Sequence, residues 1–164
     1  MNEWASDIYF MQCAILEAKK AAQIGEVPIG AVVVHNGKII GRGYNRRETT
    51  QRASMHAEML AIDEACRAIG SWRLEETTLY VTLEPCMMCS GAIMQSRIPR
   101  VVYAAPDAKG GTVRSLYQLL EDERLNHTAT IETGLFAERC GRLLSDFFRE
   151  LRRTKKAQKR ETLE

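Results

Sequence analysis

The run Thr78-Leu79-Tyr80-Val81-Thr82-Leu83-Glu84-Pro85-Cys86-Met87-Met88-Cys89 decides the fold. Its first six residues are apolar, β-branched or aromatic, and they read as a buried strand. Pro85 breaks that pattern, and a helix is expected to follow it and to finish before Pro99. Cys86 and Cys89 then sit at the start of that helix. Free backbone N–H groups and the positive end of the helix dipole lower thiolate pKa values there.

Outward from this unit the same alternation continues. Arg100 to Ala105 reads as a strand and Thr128 to Thr133 as a weaker one. The last helix starts near Phe136, with Cys140, Leu143, Leu144, Phe147 and Leu151 on its apolar stripe. On the N-terminal side, Ser54 can cap a helix with Met59, Ile62, Cys66 and Ile69 on one face and Gly70 as its stop. Ile29 to Val34 and Lys38 to Tyr44 flank Asn36-Gly37, a strong hairpin signal because both turn residues tolerate positive φ. Ser6 or Asp7 can cap a first helix, in which Ile8, Met11, Ile15, Ala18 and Ala22 recur at helical spacing before Gly25. Strands alternating with helices imply an α/β fold with helices on both faces of the sheet.

Composition narrows the class. The chain has 164 residues, 45% hydrophobic and 27% charged, which suits one domain over 1–164 with a basic segment at about 149–164. Met1 to Asp7 has no basic region leading into an apolar stretch, which argues against a signal peptide. The longest apolar runs, such as Ile29 to Val34, are too short to span a bilayer. Five cysteines, two of them in C-x-x-C spacing, read as metal binding rather than a disulfide framework, so a cytoplasmic location is expected. The net charge of +2 says little, but Arg149 to Arg160 carries seven Lys or Arg residues against Glu150 alone. That run reads either as a solvated helix end favoured by the dipole or as an anchor for phosphate.

His56-Ala57-Glu58 lies thirty residues upstream of Cys86. His56, Cys86 and Cys89 form a three-ligand set for Zn2+ that leaves a coordination position open, where water becomes a nucleophile at neutral pH. Zinc with two thiolates and a neutral imidazole carries no net charge, so a nearby base has a task. Glu58 can accept the proton of the attacking water and deliver it to a base ring and leaving ammonia. Helical positions two apart diverge by about 200°, so His56 and Glu58 border one site only if the helix N-terminus points at the metal. The competing reading is a closed structural zinc knuckle. Cys66 lies about 15 Å along the helix from His56. His35 reads as a solvated strand end, and Cys13 and Cys140 read as buried core thiols, whereas His127 stays open as a fourth ligand. The methionines Met55, Met59, Met87, Met88 and Met94 read as core filler. Asp107 to Gly111 reads as a turn, and Asn45 either as a turn residue or as an amide that pairs with a purine edge.

H-x-E followed by P-C-x-x-C is the pattern of zinc nucleobase deaminases. The chain resembles the bacterial tRNA-specific adenosine deaminases of the cytidine-deaminase-like superfamily, from Ile8-Tyr9-Phe10-Met11 to Phe147-Phe148-Arg149-Glu150-Leu151-Arg152. The flanking blocks select this family: Gly25-Glu26-Val27-Pro28-Ile29-Gly30-Ala31, Gly70-Ser71-Trp72-Arg73-Leu74, Ser96-Arg97-Ile98-Pro99-Arg100-Val101-Val102-Tyr103 and Asn126-His127. The resemblance implies a three-layer α/β/α fold with a five-stranded mixed sheet, a homodimer, no membrane, and deamination of adenosine to inosine at the tRNA wobble position. It implies Zn2+ on His56, Cys86 and Cys89, with Glu58 as proton shuttle. It assigns Asn45, the Ala57 backbone, Val27 and Pro28 to the flipped base, and Asp107, Lys109, Asn126, Phe148 and Arg152 to the anticodon loop. Two departures stand out. Met55 replaces a small residue and is expected to alter the pocket wall or nearby packing, and Thr112-Val113-Arg114-Ser115 replaces a smaller, glycine-containing stretch.

Two other functions fit parts of the chain. A deaminase of free nucleosides or bases would not need the basic run Arg152 to Arg160. A non-catalytic RNA-binding subunit would not need Glu58.

Overall fold

A computed structural model describes residues 3–162. Five helices and five strands follow one another as α1 (Glu3–Gln23), β1 (Gly30–His35), β2 (Lys38–Tyr44), α2 (Arg47–Thr50), α3 (Ala57–Ile69), β3 (Thr77–Leu83), α4 (Met87–Gln95), β4 (Arg100–Ala105), β5 (Thr130–Thr133) and α5 (Ala137–Glu161). A 3-10 turn, Leu119–Glu121, precedes β5. The sheet order is β2-β1-β3-β4-β5. β1 is antiparallel to both β2 and β3, while β3, β4 and β5 run parallel. The hairpin forms as expected, with Asn36 at φ 48° and Gly37 at φ 71°.

Alternate side chains feed two cores, as the two-residue period of a strand requires. Val33, Leu79, Val81, Val101 and Tyr103 pack under α3 and α4 with Ala61, Ile62 and Ile93. Val32, Val34, Tyr80, Val102 and Ala104 pack on the other face with Phe10, Met11 and Ile15 of α1 and with Cys140. The architecture is therefore the expected three layers. Close approach at β2 fixes where α3 lies. A Cβ on Gly43 would stand 2.1 Å from the Ala57 carbonyl oxygen, and one on Gly41 2.1 Å from that of Ala61. The first turn of α3 is thus pressed against β2, which sets the position of His56 just before it.

Several expectations need correction. Neither Ser6 nor Asp7 caps α1, because the helix already includes Glu3. Asp7 is instead buried within it and accepts hydrogen bonds from Arg100 and Tyr80. Ser54 does not cap α3. His56 occupies that position in extended conformation (φ −81°, ψ 153°), so it precedes the first turn rather than lying in it. α2 and the 3-10 turn had no sequence signal strong enough to place them. On α5 the stripe fades: Cys140 is buried, Leu143, Leu144 and Phe147 are half-buried, and Leu151 is exposed. No helix among the described residues is long and apolar enough to cross a membrane.

Candidate metal centre and substrate cleft

Two helix starts converge on one point. Cys86 is the extended N-cap of α4 (φ −77°, ψ 177°) and Cys89 lies in its first turn. His56 is the equivalent residue of α3. Its Nδ1 stands 3.6 Å from Cys86 Sγ and 3.5 Å from Cys89 Sγ. All three ligand atoms lie within 4.8 Å of one another, and among the described residues they form the one such cluster of His, Cys, Asp and Glu. The extended N-cap conformation resolves the angular problem posed by H-x-E, because His56 is not bound to the helical period.

The donor set fits zinc. Two thiolates and an imidazole suit a borderline-soft divalent ion, and three protein ligands are the number that catalytic zinc sites use. The Cys86 thiol is lowered to about 4, first by the hydrogen bond it shares with Cys89 and, against burial, also by His56. The same bond and burial raise Cys89. The other thiols and histidines stay outside. His127 Nε2 is 2.7 Å from the Ile98 carbonyl oxygen, which accounts for the residue left open above. Cys66 Sγ faces the Trp72 carbonyl oxygen at 3.9 Å, and His35 Nε2 is 3.4 Å from Glu76.

Glu58, at the second position of α3, is 4% exposed. Burial pushes its carboxyl up to about 7, against its own backbone N–H and the nearby His56, which favour its charged form. A group near neutrality can both take and give a proton at physiological pH.

A cleft of about 540 Å3 opens over this group. Its lining includes Val27, Asn45, His56, Ala57, Glu58, Cys86, Asp107, Lys109 and Phe148, nine of the expected site residues. Pro28 is buried beside Val27, and Cys89 is fully buried behind the cleft. Asn126 and Arg152 are exposed and do not line it. Asn45 makes the turn interaction and also lines the cleft. Its Oδ1 accepts the Arg47 N–H at 3.2 Å and its Nδ2 donates to the Val27 carbonyl at 3.4 Å, so a turn interaction fixes an amide at the cleft wall. Asp107 makes the expected turn, its Oδ1 accepting the N–H groups of Lys109 and Gly110, both at 3.0 Å. Met55 lines a separate mixed-charge groove with Arg46 and Arg52 and is not among the residues lining the cleft.

Sequence reasoning missed Arg47, Glu84 and Leu144 on the lining. Leu144 was legible only as a helix-stripe residue. Arg47 directly follows Asn45-Arg46, and Glu84 directly precedes Pro85-Cys86, so proximity to motif residues was the available signal.

Comparison with known proteins agrees with this geometry. The family model for the cytidine and deoxycytidylate deaminase zinc-binding region matches residues 4–105. The tRNA-specific adenosine deaminase of Bacillus subtilis is 60% identical over 92% of this chain and 94% of its own length. The tRNA-specific adenosine deaminase of Aquifex aeolicus is 46% identical over 88% and 95%. A structure solved in a study of A-to-I editing by tRNA:A34 deaminases at the wobble position of transfer RNA has a TM-score of 0.79 at 41% identity, covering 83% of this chain and 99% of that one. Family model, relatives and fold coincide with a histidine and two cysteines gathered beside a buried glutamate, and the chain belongs to the cytidine and deoxycytidylate deaminase zinc-binding family, among its tRNA-specific adenosine deaminases.

Proposed function

We propose that this protein hydrolytically deaminates adenosine to inosine at the wobble position of tRNA. The observation that carries this reading is the buried Glu58 beside the His56–Cys86–Cys89 group, at the floor of a cleft whose rim bears Lys109 and Phe148. The relatives' tRNA-specific adenosine deaminase activity supports it.

His56, Cys86 and Cys89 hold one zinc ion per chain, which supplies a Lewis acid able to activate water at neutral pH. Glu58 takes the proton of the attacking water on a carboxylate oxygen. As the water oxygen bonds to C6, Glu58 delivers that proton to the adjacent ring nitrogen. It then carries the second proton, left on the new C6 oxygen, to the amino group, which departs as ammonia when the C6–N bond breaks and leaves a C6 carbonyl. Asn45 meets the purine edge, since its Nδ2 keeps a second hydrogen and its Oδ1 a second lone pair. The N–H of Ala57 belongs to the unpaired first turn of α3 and is available to the base. Val27 supplies apolar contact to the base, with Pro28 buried beside it as support. Asp107, Lys109, Asn126, Phe148 and Arg152 hold the anticodon loop by polar, phosphate and stacking contacts, the usual way of gripping splayed RNA bases. The whole chain acts as one domain, as a homodimer, in the cytoplasm.

The deciding experiment incubates the purified protein with transfer RNA, free adenosine, free cytidine and free guanine, followed by mass analysis of the products. Inosine confined to the transfer RNA supports the proposal. Turnover of a free nucleoside or base alone replaces it with small-molecule deamination. Binding of transfer RNA without any product, at full zinc loading, leaves a non-catalytic RNA-binding protein.

A further inference from the structure

Glu84 is 2% exposed, and its carboxylate forms no ion pair among the described residues. Five donors surround it. Oε1 accepts the N–H groups of Val113 at 3.1 Å, Arg114 at 2.7 Å and Ser115 at 2.8 Å. Oε2 accepts the Asp107 N–H at 3.0 Å and the Ser115 hydroxyl. The Arg114 guanidinium turns away to Glu121. The donors fall at the two ends of one segment, Asp107 at its start and Val113 to Ser115 at its close. Gly111 lies between them, where a Cβ would stand 2.3 Å from Glu84 Cδ. The neighbouring residue extends the clasp: the Pro85 carbonyl accepts the Thr112 N–H at 3.0 Å, and the Thr112 hydroxyl shares a 2.9 Å hydrogen bond with Ser90 of α4.

This segment is a wall of the cleft, through Asp107, Ala108 and Lys109. Glu84 stands two residues before Cys86. One side chain thus joins the strand end that presents a metal-ligand candidate to the loop that presents the RNA-contact candidates. We propose that Glu84 is a positioning residue for tRNA: its carboxylate sets the distance and orientation between the 107–115 loop and the catalytic group, and so governs how the anticodon loop is held. This rests on the tRNA-deaminase reading above. The chemistry selects a carboxylate. Backbone N–H groups cannot reverse their polarity, so an amide at this position must oppose at least one of them with its own NH2. Its best orientation places the NH2 at the Oε2 position, where the Ser115 hydroxyl can turn to accept but the Asp107 N–H cannot. Glu84→Gln therefore releases the Asp107 end and keeps the Ser115 end.

The test compares wild type, Glu84→Gln and Ser115→Ala with transfer RNA as substrate. The expected result for Glu84→Gln is a KM for transfer RNA raised about tenfold, the scale of one missing hydrogen bond to a charged group. Its kcat stays within about twofold and its zinc content stays at the wild-type value. Hydrogen exchange at the Asp107 amide accelerates while that at Ser115 does not. Ser115→Ala removes only the hydroxyl donor and raises KM by a smaller factor, which keeps the idea testable should the glutamine variant fold poorly. A lowered melting temperature with unchanged KM and kcat in the folded fraction overturns the proposal, leaving Glu84 as a stabilising residue only. A wild type that does not act on transfer RNA at all sinks the parent reading instead. In that case exchange at the Asp107 amide still decides whether Glu84 orders the loop.

Discussion

Glu58 occupies the second position of α3, buried beside the two sulfurs and the imidazole of the ligand group, with its carboxyl lifted to about 7. Its role and its environment make one prediction at this scale. Glu58→Gln keeps shape and burial but cannot carry the proton. We expect one zinc per chain by elemental analysis and a fall of about 100- to 10,000-fold in inosine formation, the usual contribution of a general acid–base group. Turnover equal to wild type would remove Glu58 from the chemistry. The candidate ligands and this carboxylate were legible because H-x-E and P-C-x-x-C are chemically specific patterns, although thirty residues separate them. Glu84 was not, because four of its five donors are backbone N–H groups, 23 to 31 residues further on, and no side-chain pattern marks them. Met55, expected from its departure from the family's small residue to alter either the pocket wall or nearby packing, lines a groove separate from the cleft, which leaves the packing alternative.

α1 and β4 are joined by one buried ion pair. Arg100 donates to Asp7 in bidentate fashion, Nη1 to Oδ1 at 2.9 Å and Nη2 to Oδ2 at 2.7 Å, while the Tyr80 hydroxyl donates to Oδ1 at 2.6 Å. Burial alone would raise the Asp7 carboxyl, but the hydrogen bonds from Arg100 and Tyr80 outweigh it, so it sits below its ordinary 3.8. A carboxyl depressed by folding stabilises the protein above its unfolded value, and that contribution disappears as pH falls through the folded value. Unfolding free energy should therefore drop below about pH 4 in wild type. Asp7→Asn should remove that part of the pH dependence and cost about 1–2 kcal/mol at pH 7, because Arg100 loses its most buried partner but keeps Glu132 at 2.6 Å and Glu3 at 3.7 Å. Urea titrations of both proteins between pH 3 and 7 measure this, and parallel pH profiles would mean that the pair does not carry the effect. The helical period placed α1 from the sequence, but Asp7 was misread as a cap because a carboxylate near a helix start looks the same whether it meets N–H groups or a distant guanidinium.

Across the molecule, α5 runs on beyond the body of the fold. From Phe148 to Thr162 every residue is exposed, and Arg152, Lys155, Lys156, Lys159 and Arg160 pair with no carboxylate among the described residues. Unpaired cations on a projecting helix, continuous with the Phe148 edge of the cleft, favour the phosphate-anchor reading of the basic run over a merely solvated end. Removing residues 153–164 should weaken transfer RNA binding and lower its log–log salt slope by roughly 0.7 to 0.9 for each phosphate no longer neutralised, with the melting temperature unchanged. An unaltered slope in titrations from low to moderate salt would return the run to solvated surface. The sequence by itself determined the strand–helix alternation and the hairpin turn, and it pointed to the candidate ligand set and the candidate acid–base residue, because each depends on residues within a few positions of one another or on a motif of fixed chemistry. Only the tertiary structure decided that His56 is an N-cap, that Asn45 is tethered at the cleft wall, that His127 is engaged by a backbone carbonyl, and that Glu84 clasps a loop. Those outcomes depend on which distant backbone groups the packed sheet and helices bring within hydrogen-bond reach, and local patterns carry no record of that distance.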